Sequence, residues 1–223
     1  MIFIQNEPLN VASFVKNYPE GSVERAIIKI LSSSSATHSY NSIGELQFEL
    51  KLRREIVQAA RDLSKSKLAF RVFRKSFCNP QYWTRTRDGG FALKRGVKPS
   101  AAVRDIYQNS AKYGTECATA MLIVYYKALL ETLGENAFDQ IFPNIHLMNW
   151  HQIERELKDV GFMHPANDHL PGDRRYFANP DVDPYTPEWQ GENVIDLGDG
   201  TYYGHGIGLY PAKTFIKLLN GNR

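Results

Sequence analysis

The sequence predicts an α+β fold in which a buried central helix packs on an antiparallel sheet. Apolar residues follow helical spacing in the first half of the chain, and strand-like segments fill the last third. Between them, residues 116–131 leave almost no polar face, which is typical of a helix in the middle of a domain. The length of 223 residues suits one domain over residues 1–223.

Helices are predicted first along the chain. Apolar residues from Val23 to Leu31 recur at helical spacing, and the serine run 32–35 is expected to be a loop. Ser42 and Glu45 form a capping-box pattern that opens a second helix toward Leu63. A hairpin is predicted between residues 70 and 95, around Asp88 and two glycines.

Two further helix signals precede the sheet. Ser100 is expected to cap a short helix. Thr115 then opens the apolar run 116–131, and Gly134 is the expected C-cap.

Strands are predicted over residues 145–150, 174–177, 192–197 and 201–209, with a hairpin turn at Gly198, Asp199 and Gly200. A two-residue turn would place Glu192 and His205 on one sheet face, about 5 to 8 Å apart. A three-residue turn would place them on opposite faces, and the sequence does not fix this register.

Composition is that of an ordinary soluble protein, with 43% hydrophobic and 23% charged residues and a net charge of +3. Such a balance argues against a nucleic-acid partner, and no long apolar run suggests a membrane. The first ten residues lack a signal-peptide pattern, so synthesis in the cytoplasm without a signal peptide is expected.

Neither a metal nor a cofactor is predicted. Two cysteines are too few for a disulfide framework, and Cys78 is expected to be a free buried residue. The histidines lack the compact spacing of a metal site, and no phosphate-binding glycine motif occurs.

Cys117 is the candidate nucleophile because it lies in the first turn of the buried helix. Unpaired N–H groups and the helix dipole at that position stabilise a thiolate or an oxyanion. A cysteine nucleophile also needs a base. Glu192 and His205 are candidates, and the glycines on both sides of His205 suggest that another backbone or a ligand comes close.

Several motifs, in the same order, resemble one family. They are Phe48–Arg53, Tyr82–Trp83, Tyr113–Ala120 followed by Ile123–Tyr126, Trp189–Ile195 and Gly204–Gly208. Together they resemble the small spore-coat transglutaminases of spore-forming bacteria, from about residue 40 to 215.

This resemblance implies a papain-like core of the NlpC/P60 type and a protein-glutamine gamma-glutamyltransferase that needs no calcium. It implies that Cys117 is the nucleophile, that Glu192 is the principal base with Glu116 as a partial substitute, and that His205 supports them. An apolar tunnel for substrate is implied at Phe70, Trp150, Tyr176 and Trp189. The implied partners are spore-coat proteins bearing glutamine and lysine, met by a monomer that is made in the mother cell and then joins the spore coat.

The sequence is also compatible with two other functions. A papain-like or NlpC/P60 amidase or peptidase would share most of these residues and pass the acyl group to water. A spore-coat structural protein would have no chemical defect after Cys117→Ala.

Overall fold

The computed structural model describes residues 1–148 and 168–223. Its helices are α1 Val11–Phe14, α2 Val23–Ser33, α3 Ile43–Ser64, α4 Pro99–Gln108, α5 Cys117–Leu133, α6 Glu135–Ile141 and α7 Ala212–Asn220. Its strands are β1 Ile2–Ile4, β2 Glu7–Pro8, β3 His38–Tyr40, β4 Ala69–Phe70, β5 Trp83–Arg85, β6 Phe91–Leu93, β7 Gly114–Thr115, β8 His146–Leu147, β9 Arg174–Ala178, β10 Gly191–Asp196, β11 Thr201–Gly204 and β12 Gly208–Pro211.

The helix starts follow the capping chemistry of the sequence in one case and depart from it in another. Ser42 caps α3, its hydroxyl accepting the N–H of Glu45 at 3.1 Å. Ser100 is not the cap of α4, so that prediction is wrong. Pro99, whose missing N–H is no loss in the first turn, begins the helix, and the Ser100 hydroxyl instead donates to Asp139 at 2.9 Å.

Helix α5 lies at the centre of the domain, as its apolar sequence predicts. It packs against α3, α4 and strand β10, and most of its residues are buried. The helix ends at Gly134, whose positive φ of 81° is a conformation that glycine adopts without strain. The first turn of the helix contacts strand β10 of the sheet that follows.

The main sheet of the described chain is antiparallel, in the order β12-β11-β10-β9. Val194 pairs with Gly204 and Ile195 with Tyr203, and Leu197 donates its N–H to the carbonyl of Thr201. The turn between β10 and β11 thus contains the three residues 198–200. By the alternation of side chains along strands, this register puts Asn193, rather than Glu192, on the face of His205 and Tyr203.

Several shorter strands pair outside the main sheet. Strand β4 runs parallel to β7, pairing Ala69 with Gly114 and Phe70 with Thr115. This parallel pair, like the parallel pair of β1 and β3, was not predicted, because strands of two or three residues carry no periodic signal. The predicted hairpin at residues 70–95 is confirmed in its second part, as β5 and β6.

The described helices and sheets form one mixed α and β domain with two buried clusters. The larger joins α3, α4, α5 and the main sheet, and the smaller joins α2 to the N-terminal strands. Within residues 1–148 and 168–223, no helix has the length and apolar character needed to cross a membrane.

Candidate active site

Glu116 is the N-cap of α5. Its carboxylate accepts the N–H of Ala118 at 2.6 Å and the N–H of Thr119 at 2.7 Å. The negative charge of Glu116 is also attracted to the positive end of the helix dipole, and this attraction stabilises the cap further. Two of the helix-start N–H groups are thereby occupied by Glu116 itself, and they are not available to an oxyanion.

Cys117 follows directly, with a partly exposed thiol. Burial raises the pKa of this thiol well above its ordinary value, and the negative charges of Glu192 and Glu116 raise it further. Donors at Asn193 oppose that rise. The resting thiol is therefore protonated at neutral pH, and the site needs a base to generate the nucleophile.

Glu192 supplies a buried carboxyl beside the thiol. Its Oε1 atom has no hydrogen-bond partner in the described part of the chain. Burial first, and then the charge of Glu116, raise the pKa of Glu192 to about 8, while an interaction with the Cys117 thiol opposes the rise. A carboxyl tuned to this range can take and return a proton near neutral pH.

Gly204 makes room for this carboxyl. A Cβ atom at Gly204 would lie 3.1 Å from Glu192 Oε1 and 2.5 Å from the ring of Phe215 in α7. That ring is itself stacked on Phe177 of β9 at 5.4 Å. The absence of a side chain at position 204 is thus a condition for placing Glu192.

Asn193 is a site residue that the sequence analysis missed. Its amide Nδ2 donates to the sulfur of Cys117 at 3.8 Å, and its Oδ1 accepts from Arg174 at 3.2 Å. Both the side chain and the backbone N–H of Asn193 favour the thiolate. The signal that could have found it is the alternation along β10, had the turn length at 198–200 been known.

His205 lies beside the site but contacts neither Glu192 nor Cys117 by a hydrogen bond in the described chain. Its Nδ1 is 3.2 Å from the hydroxyl of Tyr203, and its Nε2 has no partner there. Burial lowers the pKa of His205 to about 4, with nearby backbone at Ala69 and Thr115 opposing this in part. The imidazole is therefore neutral near pH 7.

The four predicted tunnel residues fare differently. Phe70 is 38% exposed, with its ring 6.0 Å from that of His205. Tyr176 is 42% exposed, and partial burial, followed by the charges of Cys117 and Glu192, raises its pKa. It therefore lies at the rim of the site. Trp189 is partly buried and lies two residues before the start of β10. Trp150 lies outside the described residues.

Nothing in the described chain gathers three or more metal-binding side chains in one place. Cys78 is free, as is Cys117, and burial raises the pKa of Cys78 to about 11, which makes it a poor nucleophile. The prediction of a free cysteine at position 78 is confirmed, but the side chain is half-buried rather than buried.

An accessible thiol at a helix start, next to a carboxyl that exchanges protons near neutral pH and an amide that can donate to an oxyanion, is equipped for acyl transfer. The fold and the site thus define the class of cysteine-dependent acyl-transfer enzymes.

Comparison with known proteins narrows this class. The sequence profile of the family described as "Protein-glutamine gamma-glutamyltransferase" matches residues 1–223. The chain is 44% identical to the protein of that name from Halalkalibacterium halodurans over 203 residues, covering 91% of this chain and 70% of that protein. It is 44% identical to the one from Bacillus cereus strain AH187 over 205 residues, covering 92% and 73%.

A solved structure agrees with the sequence comparison. The structure titled "Transglutaminase from Geobacillus stearothermophilus (without C-terminal extension)" superposes with a TM-score of 0.76 and 51% identity, covering 80% of this chain and 84% of that one. The chain belongs to the protein-glutamine gamma-glutamyltransferase family. Its predicted enzyme class, a transglutaminase acting on glutamine and lysine side chains of proteins, is confirmed.

Proposed function

We propose that this transglutaminase works through Cys117 as nucleophile, Glu192 as the base and Asn193 as an oxyanion donor. The observation that carries this assignment is the placement of the Asn193 amide 3.8 Å from the Cys117 sulfur, together with the interaction of the buried Glu192 carboxyl with the same thiol. Family membership supplies the reaction, and the geometry supports the roles.

Acyl transfer begins with a glutamine carboxamide at Cys117. The Glu192 carboxylate takes the thiol proton as sulfur attacks the carbonyl carbon, and Asn193 Nδ2 donates to the developing oxyanion. The C–N bond then breaks. The same proton passes from Glu192 to the leaving nitrogen, so ammonia departs and a thioester remains.

The second half returns the enzyme to its starting state. A neutral lysine amine attacks the thioester, and the Glu192 carboxylate accepts the proton that the amine loses. The C–S bond breaks, the thiolate recovers that proton from Glu192, and an isopeptide crosslink is released. Glu116 is close enough to influence both ionisations, and we propose that it substitutes in part for Glu192.

Water competes with the amine for the thioester, so the proposed tunnel must favour the amine. Phe70 and Tyr176, both at the site, support an apolar entrance, and the roles of Trp189 and Trp150 in it remain proposals from the family resemblance. The neutral His205 is proposed to position the rim through Phe70 and Tyr203 rather than to act as the base.

We further propose a calcium-independent monomer with a papain-like core, active on spore-coat proteins after synthesis in the mother cell. The helix-then-sheet arrangement of Cys117 and Glu192 is consistent with that core. The proposal of calcium independence rests on the family resemblance.

The test is incorporation of a labelled primary amine into a glutamine-rich protein with chelator present, comparing the native chain with Cys117→Ala. Incorporation that is lost in Cys117→Ala is expected. Release of ammonia without incorporation would instead assign an amidase, and incorporation that needs calcium would overturn calcium independence.

A further inference from the structure

Positive charge is concentrated in one range beside the site. Residues 71–95 contain seven basic side chains and one acidic side chain. Outside that range, 20 of the 27 basic and 23 of the 24 acidic side chains remain, so the rest of the chain is net acidic. We call the seven the basic surface, and they are Arg71, Arg74, Lys75, Arg85, Arg87, Lys94 and Arg95.

The basic surface is exposed and its charge is uncompensated. All seven residues are exposed, and within the described chain none lies at ion-pair distance from a carboxylate. Arg85 instead donates to the backbone carbonyls of Phe73 and Ser76, both at 2.8 Å. The one acid in the range, Asp88, is hydrogen-bonded to Thr86. Unpaired charges of one sign produce an attractive field for the other sign.

This surface begins at the rim of the active site. The Arg71 N–H donates to the carbonyl of Thr115 at 2.8 Å, two residues before Cys117. Arg85 then ties the hairpin of β5 and β6 to the turn at residues 73–75, since its guanidinium also donates to the carbonyl of Arg74 at 3.3 Å. The positive charges therefore extend outward from the Phe70 side of the site.

A second segment near the site in sequence has the opposite charge. Residues 179–190 link β9 to β10, and they contain three acids and no basic residue. Asp181, Asp183 and Glu188 are the acids, and the only ion pair that the described chain provides to them joins Asp181 to Arg223 at 3.7 Å. This loop follows β9, which contains Tyr176, and ends one residue before β10, which contains Glu192. We call residues 179–190 the acidic loop.

We propose that the basic surface docks the glutamine-bearing substrate through acidic residues that flank its reactive glutamine. The reacting glutamine is neutral, so the charge of the residues that flank it decides whether the basic surface attracts or repels the substrate. The reacting lysine brings a positive charge that the basic surface repels and the acidic loop attracts. The inference rests on the transglutaminase function above and adds to it a recognition rule for the acyl donor.

The first experiment measures kcat/KM for donor peptides that differ only in their flanks. One glutamine peptide carries glutamates, a second carries arginines, and a third carries serines, each with a small fluorescent amine as acceptor. The glutamate-flanked peptide should be favoured over the arginine-flanked one by about tenfold, because several weak surface pairs act together. Added salt at about 1 M should remove most of that preference.

Charge-reversal variants locate the effect. The double variant Arg74→Glu with Lys75→Glu should abolish or invert the preference for the glutamate-flanked peptide. The control, Lys16→Glu with Lys29→Glu, makes the same change in net charge at exposed positions outside residues 71–95 and should leave the preference intact. A glutamine-glycine dipeptide blocked at both termini carries no charge and reports the chemistry alone, so its kcat/KM should be unchanged in both variants. No preference in the native chain, or equal loss in both variants, would overturn the proposal.

Binding to Cys117→Ala separates docking from chemistry. Fluorescence anisotropy of the glutamate-flanked peptide should show tighter binding than the arginine-flanked peptide, and Arg74→Glu with Lys75→Glu should remove the difference. If the native chain fails to incorporate amine while this binding preference holds, the proposed function fails and the docking inference stands. Equal binding of both peptides, or tighter binding of a single-stranded oligonucleotide of equal charge, overturns the docking inference.

Discussion

The side-chain amide of Asn193 lies 3.8 Å from the sulfur of Cys117, and Arg174 fixes that amide by donating to its oxygen at 3.2 Å. The contact joins the first turn of α5 to the adjacent strand β10. Because an amide has no charge to lose, it can hold the same donor in place while the thiol, the thiolate and the tetrahedral oxyanion succeed one another.

Asn193→Ala is expected to lower kcat by about 100-fold with a small change in KM, since an oxyanion donor acts mainly in the transition state. The measurement is amine incorporation with the uncharged dipeptide donor. The pH profile of alkylation of Cys117 should also move to higher pH, because a donor to the thiolate is lost. A drop in thermal stability with unchanged kcat would assign Asn193 a structural role only.

Thioester formation, followed as ammonia release at saturating amine, should rise about tenfold per pH unit below pH 8 and level off above it. The base is the ionised form of Glu192, and its pKa is raised to about 8, so at lower pH the carboxyl is protonated and cannot take the thiol proton. In Glu116→Gln the rising limb should shift to lower pH, because one of the charges that raises the pKa of Glu192 is gone. An unshifted limb would show that burial alone sets this pKa.

Glu192→Ala should lose most activity yet retain some, and Glu192→Ala with Glu116→Ala should lose nearly all of it. Glu116→Ala alone also removes the cap of α5, which is expected to lower the free energy of unfolding by about 1 kcal/mol. Rates are therefore compared at a temperature where each variant is folded. Equal rates for Glu192→Ala and the double variant would exclude a substitute base.

Gly204→Ala should impair both stability and activity. Its new Cβ atom would meet the Phe215 ring at 2.5 Å and Glu192 Oε1 at 3.1 Å, so the stacked aromatic pair or the carboxyl must move. Overpacking of this kind costs about 1 to 3 kcal/mol. Gly44→Ala, in helix α3 with its nearest contact at 3.6 Å, is the matched control and should be neutral or stabilising. Unchanged amine incorporation in Gly204→Ala would show that Glu192 tolerates displacement.

Much of the fold could be predicted because its main elements have long periodic signals. Helix α5 and its glycine stop follow directly from an apolar run and Gly134, and the helix of Ser42 and Glu45 follows from its cap. The two-residue strands β4 and β7 could not be predicted, since their pairing depends on tertiary contacts rather than on a local pattern.

The candidate site shows the same division. Cys117 was found from its position at a helix start, and Glu116, Glu192 and His205 gained their proposed roles from the family resemblance. Asn193 was missed because its orientation depends on the register of β10 and β11. The capture of helix-start N–H groups by Glu116 was missed because a side chain can turn back on its own helix without any trace in residue spacing.

The three-residue turn at 198–200 has a consequence for how this family of sequences can change in length. If one residue of this turn is deleted, either the turn becomes shorter with the pairing kept, or β11 shifts by one position along β10. A shift by one position would turn Tyr203 and His205 to the other face of the sheet. The number of residues in this exposed hairpin tip is thus constrained, although the tip holds no reacting group. In alignments of related sequences, insertions and deletions should be rarer at this turn than at the other surface turns of the sheet.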